Sequence, residues 1–112
     1  MKYVEIRPIS LEEAKIMLSS ENPEQVREAL LGAVESVDDW HWLQEKCMRL
    51  VDSDDVWTAR TAITCLGHIA RIFGELDKEK VLNKLALLKA NPDLTGHIES
   101  AENDIKLFLG DC

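Results

Sequence analysis

The side chains of this 112-residue chain able to do chemistry are few: three histidines (His41, His68, His97), three cysteines (Cys47, Cys65, Cys112) and the acidic run Asp52-Ser53-Asp54-Asp55. Zinc sites draw nitrogen and sulfur ligands from recognisable short spacings, and the histidines stand at no such spacing from the cysteines or acids. His97-Ile98-Glu99 is one short pairing, which a solvent-facing or capping histidine explains. The Asp52–Asp55 run is short of the glycine and the distant glutamate that a calcium loop needs, so helix capping accounts for it better. Cys65 and His68 lie three residues apart, within helical reach. Their directions nevertheless differ by about 60° on a helix of 3.6 residues per turn, and no oxyanion donors accompany them. With no glycine-rich phosphate loop and no G-x-S-x-G elbow, the sequence predicts no enzyme, no metal and no cofactor.

What remains is the chemistry of recognition. The chain carries a net charge of −8 and a pI near 4.8, a balance that repels a phosphate backbone and disfavours nucleic acid as a partner. Residues 21–55 contain ten acids against three bases, a local net of −7, whereas residues 56–92 have a net of +3. Helix capping and solvated faces explain about half of these acids. The rest are placed to steer a basic protein partner.

Helices must position these groups. Ser10 with Glu13 forms a capping box that opens a first helix near 11–19. Asn22 followed by Pro23 is an N-cap with proline at the first helical position, and that helix runs to about Val37. Asp38 or Asp39 caps a third helix near 40–51. A fourth begins at Asp54 or Asp55 and stops at Gly74, a left-handed C-cap. Asp77 caps a fifth helix to about Lys89, and Pro92 with Asp93 starts a sixth that ends before Gly110. Residues 1–9 read as an extended arm, since Pro8 biases Arg7 away from helical angles; only Tyr3–Ile6 alternate as a strand would. The class is all-α, one domain over residues 1–112. Its six helices group as three hairpins, 11–37, 40–74 and 77–109, joined by connections short enough for antiparallel neighbours.

Three openings recur along the chain: Glu21-Asn22-Pro23-Glu24-Gln25-Val26-Arg27, Asp52-Ser53-Asp54-Asp55-Val56-Trp57 and Ala90-Asn91-Pro92-Asp93-Leu94-Thr95. Val26, Val56 and Leu94 lie 30 and then 38 positions apart, a spacing of stacked helix pairs. Val26-Arg27-Glu28-Ala29-Leu30-Leu31 resembles the start of the second helix of a HEAT repeat. The stretch from Asp52 to Gly67 resembles it too, with Trp57 where the usual arginine would stand, and a more degenerate third copy carries Thr95 there. The resemblance implies an α-α superhelix of about three HEAT-like hairpins whose second helices line an inner face. Cys65–Gly74, together with Ala101-Glu102-Asn103-Asp104-Ile105, is similar to small bacterial HEAT-like proteins that include immunity proteins of contact-dependent or polymorphic toxin systems. Such proteins bind one cognate toxin domain, often a nuclease, and cover its active site.

Helical arithmetic sorts the faces. Trp40, Leu43, Cys47, Leu50 and Val51 share one arc of the third helix, so Trp40 is expected in the core; about 150–250 Å² of buried area is worth roughly 4–6 kcal/mol. Trp42 points about 200° away, beside Lys46 and Arg49, which can stack over its ring. In the fourth helix Ala59, Ala62, Ile63, Leu66, Ala70 and Phe73 form the apolar arc, opposite a stripe of Trp57, Thr61, Thr64, His68 and Arg71. The sixth helix should bury Leu94, Ile98, Ala101, Ile105 and Phe108 and turn Thr95 and Glu99 outward. If the second helices align, Arg27, Trp57 and Glu99 begin three parallel rows. The predicted partner-binding residues are therefore Trp42, Asp52, Asp54, Asp55, Trp57, Thr61, Thr64, His68, Arg71 and Glu99.

The odd cysteine count fits reduced thiols in the cytoplasm. No apolar leader and no run approaching 18 apolar residues is present, so neither a standard export signal nor a membrane span is expected. The leading expectation is an acidic, cytoplasmic, non-enzymatic immunity protein of bacterial type, monomeric when free, which occludes a basic nuclease-type effector. The alternative is a HEAT-like scaffold or adaptor for other proteins. HEAT-like folds also include base-excision glycosylases and pigment lyases, but the former need a basic groove for which this sequence has too few cations.

Overall fold

Six helices follow from the local signals above. The computed structural model describes residues 9–110, and within them lie α1 (Leu11–Leu18), α2 (Pro23–Ser36), α3 (Trp40–Leu50), α4 (Val56–Phe73), α5 (Lys78–Leu88) and α6 (Thr95–Leu109). No strand occurs among the described residues, and the fold is all-α. The extended arm predicted over residues 1–9, with the strand-like alternation of Tyr3–Ile6, lies outside them except for Ile9.

Caps decide most of the boundaries. Ser10 Oγ accepts from the Glu13 amide at 3.1 Å, and Asn22 Oδ1 accepts from the Glu24 amide at 2.9 Å with Pro23 opening the helix behind it. Of the two candidate caps before α3, Asp39 is used, accepting from the Trp42 amide at 3.0 Å. Before α4 it is Asp55, which accepts from the Thr58 amide at 2.9 Å and the Thr58 hydroxyl at 2.6 Å. Each of the amide bonds satisfies an N–H that the helix itself leaves without a partner. Gly74 ends α4 at φ 65°, a left-handed turn that costs glycine nothing.

Two helix starts differ from expectation. Asp77 stands at the N-cap of α5, but its side chain makes no capping bond. Instead the Asp77 amide donates to Gln44 Oε1 at 2.7 Å, and Gln44 Nε2 donates to Asp77 Oδ2 at 3.0 Å. The cap is thus supplied by a fully buried glutamine of α3. The α6 helix starts at Thr95, not at Pro92, because residues 92–94 form a turn in which Asn91 Oδ1 accepts from the Asp93 amide at 2.9 Å.

The tertiary arrangement places α4 at the centre, packed against α2, α3 and α6, while α1 packs on α2 and α5 on α6. Each odd helix thus lies on the even helix that follows it, and α2, α4 and α6 sit side by side. The central position explains why α4 buries more than its predicted arc, adding Thr58, Cys65, Gly67 and Ile69. Gly67 permits the close crossing with α6: a Cβ there would stand 3.4 Å from the Ala101 Cα and 3.0 Å from Asp104 Oδ2.

Several side chains depart from the wheel. Trp40 is only half-buried at the rim of the core, with its ring edge-on to His41 at 5.6 Å. Trp42 also packs partly against the core while Lys46 Nζ covers its ring at 5.6 Å. Phe108 is 43% exposed, a correction to its predicted core place. It lies about 60° from the direction of Ile105, against about 40° for Leu109, and Leu109 is the one that packs inward.

Candidate binding face

Along the outer side of α4 the predicted stripe forms the floor of a groove between α2 and α6. Trp57 is 59% exposed, and Thr61, Thr64 and His68 follow it half-buried, with Arg71 exposed at the far end. Leu31 of α2 and His97 of α6 flank Trp57, Arg60, Thr61 and Thr64 in a hollow of about 160 Å³. Further along, Thr64 and His68 face Gly96, His97, Ser100, Ala101 and Asp104 across a cleft of about 380 Å³. The two hollows share Thr64 and His97, so they are continuous.

The indole of Trp57 is held in place from the side. The Arg60 guanidinium lies 4.9 Å from its ring centroid, and Arg60 Nε donates to the Asp93 carbonyl at 2.9 Å. A cation over an aromatic face is attracted by the ring quadrupole, so the ring stands open to solvent without being loose. The Thr61 hydroxyl donates to the Trp57 carbonyl at 2.8 Å.

His68 has its ring held below its ordinary pKa of 6.5, first by burial and then by Arg71, while Glu35 of α2 and Asp104 of α6 pull it the other way. The ring is therefore neutral at pH 7, and the two carboxylates give the middle of the groove a negative character.

The acidic run is largely tied up. Asp55 pairs with Arg27 at 2.8 Å, joining α2 to the start of α4. Asp52 pairs with Lys84 of α5 at 2.8 Å, and Glu45 of α3 with Lys80 at 2.8 Å. The acid-rich and base-rich segments of the sequence thus partly neutralise one another in space. Asp54 is exposed and makes no ion pair among the described residues.

Of the predicted residues, Trp57, Thr61, Thr64 and His68 line one groove, and Arg71 stands beside it. Trp42, Asp52 and Asp54 line neither hollow, and Asp55 lines a separate one with Leu18, Pro23 and Val26. Glu99 lines neither hollow, and its charge acts on Lys89, so the third row of the groove starts from other residues. That row is made by His97, Ser100 and Asp104, whose spacing of three and then four is the helical signal that marks them.

His41 and Glu45, one turn apart on α3, meet Asp77 with their ligand atoms within 4.8 Å of one another. This cluster needs Asp77 from another hairpin, which sequence spacing does not show. Glu45 is held below its ordinary pKa chiefly by Lys80, and next by Gln44, so a protein cation already supplies the positive charge there.

No family model matches the chain, and no curated protein is a significant match. The chain is similar to one chain of a CDI complex. That crystal structure comes from Cupriavidus taiwanensis LMG 19424; the two chains share 27% identity, with 96% of this chain and 97% of that chain covered and a TM-score of 0.86. Coincidence over nearly the whole of both chains means that the six-helix arrangement, and with it the α2–α4–α6 side, is common to the two. No helix among the described residues is long and apolar enough to cross a membrane.

Proposed function

We infer that this chain is an immunity protein of a contact-dependent inhibition system, a non-enzymatic inhibitor that neutralises a cognate toxin domain by covering it. The observation that carries this reading is the full-length likeness to a chain of a CDI complex. The open groove along α4, bearing a braced and exposed Trp57, supports a protein partner, because a rigid aromatic anchor in a polar surround is a typical interface hot spot. The net charge of −8 supports a basic partner, and an effector that acts on nucleic acid would carry that charge. In this reading the three helix pairs are HEAT-like hairpins forming one domain, and the groove residues Trp57, Thr61, Thr64, His68 and Arg71 make the central contacts. Trp42, Asp52, Asp54, Asp55 and Glu99 contribute at the rim or by steering. The protein works in the cytoplasm, as a monomer until its partner arrives.

The test is genetic. The C-terminal domain encoded by the gene immediately upstream should arrest growth when expressed alone in a neutral host, and co-expression of this chain should restore growth. Arrest that persists despite soluble co-expression would sink the proposal.

A further inference from the structure

The cleft between α4 and α6 contains polar groups that the fold leaves unused. Asp104 is half-buried and carries no hydrogen bond or ion pair among the described residues, and the same holds for the side chains of Thr64, His68, His97 and Ser100. A half-buried carboxylate without a partner forgoes interactions that a charged donor would supply. Its position is also built. Asp104 Oδ2 rests against the bare backbone of Gly67, where a Cβ would come within 3.0 Å, so the carboxylate fills the space that the glycine leaves and stands beside the His68 ring.

The geometry points to this cleft as a receptor for an arginine side chain of the partner, an inference that rests on the reading of the chain as an inhibitor of a basic protein. A guanidinium is planar, always charged, and matches a carboxylate with two parallel N–H donors. Its faces stack on flat rings, which His68 and His97 supply on the two walls. Asp104 of α6 lines the cleft, and Glu35 of α2 and Arg71 of α4 are the other charges that act on its His68. With His68 neutral they leave one net negative charge for the incoming cation. The cleft of about 380 Å³ is wide enough for a guanidinium and opens directly beside the Trp57 hollow, so one partner segment can fill both.

The test uses the whole chain, isotope-labelled for NMR and titrated with N-acetyl-arginine amide and, separately, N-acetyl-lysine amide. The arginine probe should give saturable shifts at Gly67, His68, Ser100 and Asp104, with half-saturation in the millimolar range. Asp104→Asn should weaken them by about 10-fold, the worth of one charge-assisted contact, and Glu12→Gln, at an exposed position of α1 away from both hollows, should leave them unchanged. Absence of saturable shifts at these residues, equal binding by Asp104→Asn, or equal half-saturation by the lysine probe would each overturn the assignment. The probe titration is independent of growth protection. Protection without probe binding removes the arginine cleft and leaves the immunity reading, while probe binding without protection does the reverse.

Discussion

The Arg60 guanidinium covers one face of the Trp57 indole, 4.9 Å from the ring centroid, and is itself tethered to the Asp93 carbonyl. The ring is 59% exposed, so its apolar area contributes little to the fold and is available to a partner. Trp57→Ala should cost about 2–4 kcal/mol of partner affinity, the range of a hot-spot truncation, and shift the thermal midpoint by only a few degrees. Calorimetric binding and a melt check the two halves. Unchanged affinity would remove Trp57 from the interface, and a large loss of stability would make it a packing residue.

Asp55 joins a helix cap to an ion pair. The Thr58 hydroxyl bond, above all, holds its carboxyl below the ordinary value of 3.8, with the Thr58 amide and Arg27 acting the same way against a partial desolvation. A carboxyl depressed in the folded state stabilises fully above the ordinary value and loses that contribution as pH falls through the folded one. Wild-type stability should therefore fall more steeply below about pH 4 than that of Asp55→Asn, which keeps a capping oxygen but no charge. Asp55→Ala should also lower stability at neutral pH, through the lost cap. Denaturant melts across this range measure both.

Gly67 sets the distance between α4 and α6. Leucine there would drive a side chain into the Ala101 backbone, 3.4 Å from where the Cβ would stand, and overpacking of this kind should cost about 3 kcal/mol or more. That corresponds to a fall in melting temperature of roughly 10–20 °C for a chain of this size. Gly67→Ala needs only a small shift of the Asp104 carboxylate and gains about 1 kcal/mol of helix propensity, so its midpoint should stay close to wild type. A Leu variant that melts like wild type would refute the close-approach role.

Gln44 is fully buried and serves three bonds, one from the Asp77 amide and two to the carboxylates of Asp77 and Glu45. Gln44→Leu keeps the volume and leaves the start of α5 without its acceptor. The expected loss is about 2–3 kcal/mol. Hydrogen exchange should rise first at Asp77, ahead of global unfolding; uniform exchange along α5 would contradict this.

The legible parts of the sequence were the local ones. Ser10, Asn22, Asp55 and Gly74 act within one turn of their own position, so residue type and spacing sufficed to place four helix ends. The α4 stripe from Trp57 to His68 was legible for the same reason, since a helix turns by a fixed angle per residue whatever surrounds it.

Contacts that join distant segments were not legible. That Gln44 caps α5, that Lys80 and Lys84 neutralise Glu45 and Asp52, and that His97, Ser100 and Asp104 close the groove opposite His68 all depend on which helix faces meet. The nearness of Glu99 to Lys89 of the α5–α6 connection was not legible either, because a wheel orders residues around one axis but does not say which neighbour lies on each side. Helix type, caps and polarity of each face therefore belong to the sequence, being short-range properties of the backbone and its nearest side chains. The groove, its unpaired carboxylate and the cancelling of opposite charges belong to the tertiary structure, because packing around α4 alone brings those residues within a few ångströms of one another.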